Sequence, residues 1–413
     1  MSGYEHRVKT SEVPTRILPP RRISAGIPVV FGTAPIEELT DKPINEPRII
    51  HTYDDFVKTF GWSDDWDKYT LCEFAYSHFA MFGMAPIVFI NVYDPAVHTS
   101  GDPAVADPTQ VTSADIIGGI DAGTGAKEGL ELVADVFPQF RLVPGLIVAP
   151  KWSEDPAVAI VMAAKASKIN NLFNAMAVVD IPDTTVTKYT DVPAYKNDNS
   201  LTDPFMITCW GKPCLGDRNF HGSTILAGTI CHTDADNDDV PYVSPSNKRN
   251  YCNGAKVNGK DLKLGLLEAE YLNGQGVVVP FNFDGGWKMF GNRTAAYPSN
   301  TDPKDSFIPV RRFFNWHGNT FILTYWNLLD APLNRRQIET IMDSEQIRLN
   351  GFAKREYILG GRIVFQEDEN PTTDLMDGIS RFHTFMTPPS PNRVIENILE
   401  YDPTYISALF GGE

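Results

Sequence analysis

The stretch "LVPGLIVAPKWSEDPAVAIVMAAKASKINNLFNAMAVVDIP" occupies residues 142–182. Residues 142–149 make one continuous apolar run and residues 175–181 make a second. Between them Asp155 stands directly before Pro156. That order places a capping carboxylate ahead of a residue already set for the first helical position. The Ala- and Lys-rich residues 157–173 then predict a helix. Strand, helix and strand with short connections predict a βαβ crossover. Because neither run alternates with polar residues, both faces of these strands are expected to be covered, as in a parallel sheet flanked by helices.

Working outward, "AGIPVVFGTAP" (25–35), "APIVFINVYD" (85–94) and "PFMITCWG" (204–211) read as further buried strands. Residues 68–82 look helical, and residues 262–272 predict a helix before "NGQGVVVPFNF" (273–283) turns back into a strand. Residues 94–127, 183–205 and 232–260 are polar and rich in turn formers. From Asp302 the texture changes. Pro309 opens an aromatic helix carrying Phe313, Phe314, Trp316, Phe321 and Trp326, whose helical spacing predicts a core. Pro332 opens a second helix with Ile338, Ile341, Met342 and Leu349 on one face and Gly351 at its end. Strands are expected at 357–366, 379–387 and 393–401. The expected organisation is an N-terminal segment (1–25) that composition reads as a disordered tail or an extended arm, an α/β core domain (26–301) with polar insertions near 94–130 and 183–260, an α+β C-terminal domain (302–400) and a C-terminal arm (401–413).

The chain has 413 residues, 42% hydrophobic, with a net charge of −16, enough for two or three domains around sizeable cores. An acidic surface repels phosphate backbones, so nucleic acid is not an expected partner. Five cysteines, an odd number, do not make a disulfide framework and read as reduced thiols in a cytoplasm. The polar start "MSGYEHRVK" lacks the apolar centre of a signal peptide, and no apolar run nears the ~18 residues that span a bilayer. A soluble protein made in the cytosol, with no membrane partner, is expected.

The candidate chemistry is thin. Asp180 ends a strand, where parallel α/β folds place functional groups. A hydrolase would need a serine and a histidine to converge on it. No G-x-S-x-G elbow exists, and "FHGSTILAG" offers His221 and Ser223 only two residues apart. The simpler reading is a helix capped by Ser223. "DADNDD" (Asp234, Asp236, Asp238, Asp239) starts like a calcium loop but has Asp239 in place of the sixth-position glycine and Pro245 in place of the twelfth-position glutamate. Cys209, Cys214, His221, Cys231 and His232 lack the tight paired spacing of a zinc site. "GTGAKEG" lacks the Gly-Lys-Ser/Thr ending and the preceding strand of a phosphate loop. The acids Glu367, Asp368, Glu369 and Asp374 fall between two strand patterns with Asn370-Pro371 and Asp377-Gly378 as turn signals, and the nearest histidine, His383, lies on the far strand. They read as turn chemistry in water. The expectation is a protein that is not an enzyme, with no catalytic, cofactor-binding or metal site and no cofactor.

The stretch "LGGRIVFQEDENPTTDLMDGISRFHTFMTPPSPNRVIENILEYD" (359–402) resembles the C-terminal domain of contractile phage tail sheath proteins. "EVPTRILPPRRISAGIPVVFGTAP" (12–35) is similar to the N-terminal lead-in of that family, and residues 142–182 to its core domain, called subtilisin-like for its fold alone. "NGQGVVV" (273–279) and "FGNRTAAYP" (290–298) are similar to the segment joining the two domains. The resemblance implies a helical homopolymer of stacked rings around a tail tube. Its contraction, triggered from a baseplate, drives the tube through the host envelope. It implies partners in copies of itself, the tail tube protein, and baseplate and tail terminator proteins. It also implies a place in the virion, with assembly in the bacterial host cytoplasm, and arms that add strands to a neighbour's C-terminal sheet.

The residues themselves fit such arms. Tyr4, His6, Val8 and Thr10 alternate with charged residues, and Arg7, Lys9, Arg16, Arg21 and Arg22 face only Glu5 and Glu12 in the first 25 residues. At the other end Glu396, Glu400, Asp402 and Glu413 face Arg393 alone. Oppositely charged strands pair well across a sheet. The expected pairing sets Tyr4, His6, Val8 and Thr10, together with Tyr401, Tyr405, Ile406 and Leu409, beside a hairpin carrying Ile363, Phe365, Phe382 and Phe385. The sheath of a genome-free contractile particle (a tailocin or other injection system) is the alternative within this class, and an α/β hydrolase the alternative outside it.

Overall fold

Nine strands form the sheet around which the computed structural model is built; it describes residues 24–410. In chain order they are β1 (Pro28–Gly32), β2 (Arg48–Ile50), β3 (Ile87–Asn91), β4 (Leu146–Val148), β5 (Met176–Ile181), β6 (Met206–Trp210), β7 (Lys248–Arg249), β8 (Val277–Asn282) and β9 (Trp287–Phe290). Their spatial order is β7-β9-β8-β6-β5-β4-β1-β3-β2. The six strands from β8 to β3 in that order run parallel. The antiparallel strands β2, β9 and β7 close the two sides. Every residue of β1, β3, β4, β5 and β6 is buried, as the unbroken apolar runs require.

The flanking helices include α1 (Tyr53–Phe60), α2 (Pro156–Ser167) and α3 (Gly222–Ala235). Asp155 caps α2 by accepting from the Ala157 amide at 2.9 Å. The helix stops at Ser167 rather than Phe173, because Asn170 and Asn171 take left-handed backbone angles that no helix continues through. The predicted helix at 68–82 is an α-helical turn, Thr70–Ala75, running into a π-helix, Tyr76–Phe82. The helix expected from 262 starts at Leu266, where Glu268 accepts from the Gly265 amide. The polar insertions also hold small sheets: a four-stranded one within 212–261 and two hairpins within 99–128.

Beyond residue 302 the chain forms α4 (Ile308–Tyr325), α5 (Arg335–Lys354) and a hairpin of β10 (Gly361–Val364) with β11 (His383–Met386). Asn334, not Pro332, caps α5, accepting from the Gln337 amide at 2.9 Å, and the helix runs through Gly351. Phe313 and Trp316 are buried as expected, whereas Trp326 lies past the end of α4 and is exposed. Asn315 donates to the Ala175 carbonyl (3.1 Å), and Asn319 and Asn174 exchange two hydrogen bonds, so α4 is fastened to the lead-in of β5. One apolar cluster runs from Val29 through Phe313, Trp316 and Phe352 to Ile363. The third predicted C-terminal strand does not form. Residues 387–402 have no regular structure, and Pro403–Phe410 winds into 3-10 turns. An apolar, β-branched segment cannot hold as a strand without a neighbour to take its amides and carbonyls.

Candidate functional site

The carboxyl end of the parallel strands was the place to look for chemistry. Asp180, at the end of β5, is buried and accepts from the Ser223 amide (2.8 Å), from the Ser223 hydroxyl and from the Ser153 hydroxyl (3.3 Å). Ser223 is therefore not the cap of α3, as its sequence position suggested. It is the second helical residue, and Asp180 caps the helix from the neighbouring strand, a carboxylate against the positive end of the macrodipole. The approach depends on Gly222, where a Cβ would stand 2.8 Å from the Cys209 Cβ and 3.2 Å from Asp180 Oδ1.

His221 faces elsewhere. Its amide and its Nδ1 each lie 2.7 Å from a Glu73 oxygen, and its Nε2 lies 3.5 Å from Glu154. Lys212 completes the network, 3.2 Å from both Glu154 and Asp183. Burial opposes a charged imidazole here, but the Glu73 carboxylate and the bonds to Glu154 and Glu73 prevail and raise the His221 pKa to about 10. Burial pushes Asp180 up to about 6 against the pull of His221 and Ser223. The imidazolium bonds Glu73 through Nδ1 and faces the Glu154 carboxylate with Nε2, and the Ser223 hydroxyl donates to Asp180. The constellation is an ion network and not a nucleophile with its base. Sequence reasoning missed Glu73, Glu154, Asp183 and Lys212. One signal was available: Glu73 sits inside the apolar run "TLCEFA", where an unpaired acid would be costly.

The other candidate chemistry dissolves in the same way. The acidic run at 234–239 is divided among separate partners. Asp234 is buried and bound by both terminal nitrogens of Arg312, Asp236 lies 3.2 Å from His232, and Asp238 accepts from the Tyr357 hydroxyl at 2.5 Å. The five cysteines are free thiols, and Cys231 donates to the Gly26 carbonyl. Among the described residues no three His, Cys, Asp or Glu side chains are grouped to hold a metal. Residues 123–129 belong to the hairpin Gly119–Ile120 with Lys127–Glu128, whose turn is organised by Asp121.

The acid cluster does lie on the β10–β11 connection, which also contains a short helix, Thr372–Met376. Asn370, nearly fully buried, pins the loop by donating to the Gln366 and Arg381 carbonyls and accepting from the Arg381 amide. Asp374 pairs with Arg381. His383 reaches across from the far strand to Glu369 at 2.6 Å, a contact that the hairpin register brings about and sequence separation hides.

The hairpin itself presents two faces. Ile363 is buried against the body, and the half-buried Phe365 and Phe382 rings meet at 5.3 Å. On the outer face the Phe385 ring stacks on His383 at 4.1 Å with the Arg362 guanidinium 4.2 Å away. Past the hairpin, Val394, Ile395, Ile398, Leu399, Tyr401, Tyr405, Leu409 and Phe410 are each 70–89% exposed, and Ile406 is 45% exposed. Tyr4, His6, Val8 and Thr10 lie outside the described residues.

Comparison with known proteins points the same way. No protein-family model matches the chain. It is 26% identical over 328 residues to the tail sheath protein of Burkholderia phage BcepMu, covering 74% of this chain and 65% of that one. It is 24% identical over 370 residues to a Pseudomonas aeruginosa protein named as a prophage major tail sheath protein, covering 87% of this chain and 86% of the relative. Among solved structures it is similar to the sheath complex of an extracellular contractile injection system (PVC) in the contracted state. That match has a TM-score of 0.66 at 15% identity and covers 98% of this chain and 99% of the other. The fold is that of contractile sheath proteins.

Proposed function

This chain is a relative of contractile tail sheath proteins, and from that premise we propose that it is the structural subunit of a contractile sheath. Copies polymerise as stacked rings around a tail tube, and contraction drives the tube through a host cell envelope. The observation that carries this reading is the apolar segment from Val394 to Phe410, exposed and, among the described residues, paired with no strand, beside a hairpin in which the described residues supply two strands. Two strands rarely make a stable sheet alone. Burying each Ile, Leu or Tyr of the segment on another copy is worth roughly 1.5–3 kcal/mol. The lattice therefore draws its energy from contacts between copies, and no catalytic step is assigned to the chain. The ion network at the end of the parallel sheet is a structural element that uses up the acids and bases a hydrolase would need.

In this reading residues 26–301 are the core domain, residues 302–400 carry the hairpin, and residues 1–25 and 401–413 are arms. Tyr4, His6, Val8 and Thr10 of one copy and Tyr401, Tyr405, Ile406 and Leu409 of another join the hairpin strands bearing Ile363, Phe365, Phe382 and Phe385. The tube, baseplate and tail terminator are the further partners, and the protein resides in the virion after assembly in the host cytoplasm. A genome-free particle is the second reading, favoured by the likeness to the PVC sheath. The test is negative-stain electron microscopy of the full chain beside a variant lacking residues 1–22, each with and without the cognate tube protein. Tubes from the full chain and single particles from the truncation are expected. Small discrete particles from both, with the tube protein present, would overturn the proposal.

A further inference from the structure

After β11 the chain runs along the core domain, and residues 389–394 form one wall of an open cleft of about 760 Å³. Residues from 242 to 248, the end of the helix Leu266–Asn273 and residues 290–293 form the rest. That volume lies within the range of ligand sites. The lining is charged against the trend of the molecule. On a chain of net charge −16, Lys248, Arg293 and Arg393 line the cleft, with Glu270 the one acid lining it among the described residues. The Arg293 guanidinium lies over two rings, 3.6 Å from the Phe307 centroid and 4.3 Å from the Tyr297 centroid, and donates to the Ser306 hydroxyl at 2.7 Å. Asp305, close by in sequence, is taken by Lys304 and Arg311, and Asp284 by Lys288. Among the described residues no carboxylate pairs with Lys248, Arg293 or Arg393. Burial lowers the Arg293 pKa and the Arg393 charge adds to it, the mark of two cations left near one another without a counter-ion.

We infer that this cleft is a carboxylate site, and that it receives Glu367 and Asp368 from the β10–β11 connection of a second copy of this chain. Both acids are exposed, and among the described residues their side chains have no hydrogen bond or ion pair. Their neighbours in the connection are occupied. Glu369 meets His383, Asp374 meets Arg381, and Asn370 holds the loop in shape. A planar guanidinium offers paired N–H donors that match a carboxylate, and two of them in one cleft match two neighbouring acids. Glu367 and Asp368 do not line the cleft of their own copy. They lie in the connection at the tip of the hairpin, whereas residues 389–394 leave its base, where the Thr387 amide donates to the Gly360 carbonyl. A contact from the tip of one copy to the cleft of the next joins two different surfaces. Head-to-tail contacts of this kind propagate, closing into rings or running on as helices. This rests on the sheath reading and gives its lattice a further contact, made by side-chain charges and independent of any strand pairing.

Lys248, in the same lining, makes the contact measurable. Full-length chains, one batch grown on ordinary and one on heavy nitrogen, are mixed before assembly with the cognate tube protein. A water-soluble carbodiimide then joins amines to carboxylates as amides, and the digest is read by mass spectrometry while electron microscopy of the same samples shows whether tubes form. Links from Lys248 to Glu367 or Asp368 in mixed-isotope pairs are expected. Arg293→Gln and Arg393→Glu should each lower their yield about tenfold. Arg393 is exposed, so its substitution tests the site without touching the fold. Links confined to like-isotope pairs would set the loop in its own cleft and overturn the exchange between copies. Yields that neither substitution changes overturn the carboxylate site. Tubes without the links overturn this inference and leave the sheath reading standing, and links without tubes do the reverse. Absence of both overturns both.

Discussion

The hydroxyl of Ser223 donates to Asp180, while the imidazole of His221, two residues earlier, is held between Glu73 and Glu154. The three residue types of a hydrolase thus stand at the right end of the sheet with the wrong partners. Serine-directed phosphonate probes should leave the protein unlabelled. Ser223→Ala should lower stability by about 1.5–3 kcal/mol, the range for a hydrogen bond to a charged group, as read from denaturant midpoints. Labelling at Ser223 would reopen the hydrolase alternative.

Stability should fall on both sides of neutrality, for opposite reasons. Burial lowers the pKa of His78 to about 3, and burial aided by Arg348 does the same to His317. Each contributes stability that is complete above the unfolded value near 6.5 and is lost as pH falls toward 3. His78 packs flat on Phe74 with neither ring nitrogen hydrogen-bonded to another side chain. His78→Leu should therefore keep or raise stability at pH 7 and recover on the order of 2–3 kcal/mol at pH 4. His221 is raised to about 10, so its contribution is complete below 6.5 and disappears as pH rises through 10. Urea titrations from pH 4 to 10 would check both slopes.

Arg312 joins α4 to α3 by its paired bonds to Asp234, and it also donates to the Ala25 carbonyl at 3.2 Å. Both side chains are almost fully buried. Arg312→Met alone should cost roughly 3–5 kcal/mol by stranding the Asp234 charge. Combining it with Asp234→Leu should recover most of that loss. A double-mutant cycle in thermal unfolding measures the difference, and simple additivity would contradict the pairing.

The arms should separate folding from assembly. Ile398→Asp alters a side chain that is 82% exposed, so the monomer should unfold within about 0.5 kcal/mol of wild type while polymerisation is lost. Val8→Pro should behave alike, since proline removes a strand donor. Calorimetry beside electron microscopy checks both. Tubes from Val8→Pro would remove the N-terminal segment from the lattice.

How much of this was legible in one dimension follows the range of the interactions. The buried parallel strands could be read because burial on both faces writes itself as an unbroken apolar run, and α2 because Asp155 and Pro156 act within one turn. The hairpin of β10 and β11 could be read from its turn residues, and the stretch 359–402 carried the resemblance to sheath proteins. Strand ends were harder. Residues 393–401 have the composition of a strand, but a strand is completed by its neighbour, and the described residues supply none. The exposed segment is where composition and local structure part company.

The sequence by itself determined the α/β class, the βαβ unit, the hairpin and the absence of a local catalytic motif, because each depends on contacts between residues near in sequence. Only the tertiary structure decided which charges meet. His221 and Glu73 are 148 residues apart and Arg312 and Asp234 are 78 apart, separations at which spacing carries no signal. The tertiary structure alone also revealed that Gln346 of α5 accepts from the Ile363 amide and donates to the Gly361 carbonyl of β10. Backbone groups are alike in every residue, and only the packing of α5 against β10 decides which of them a side chain reaches.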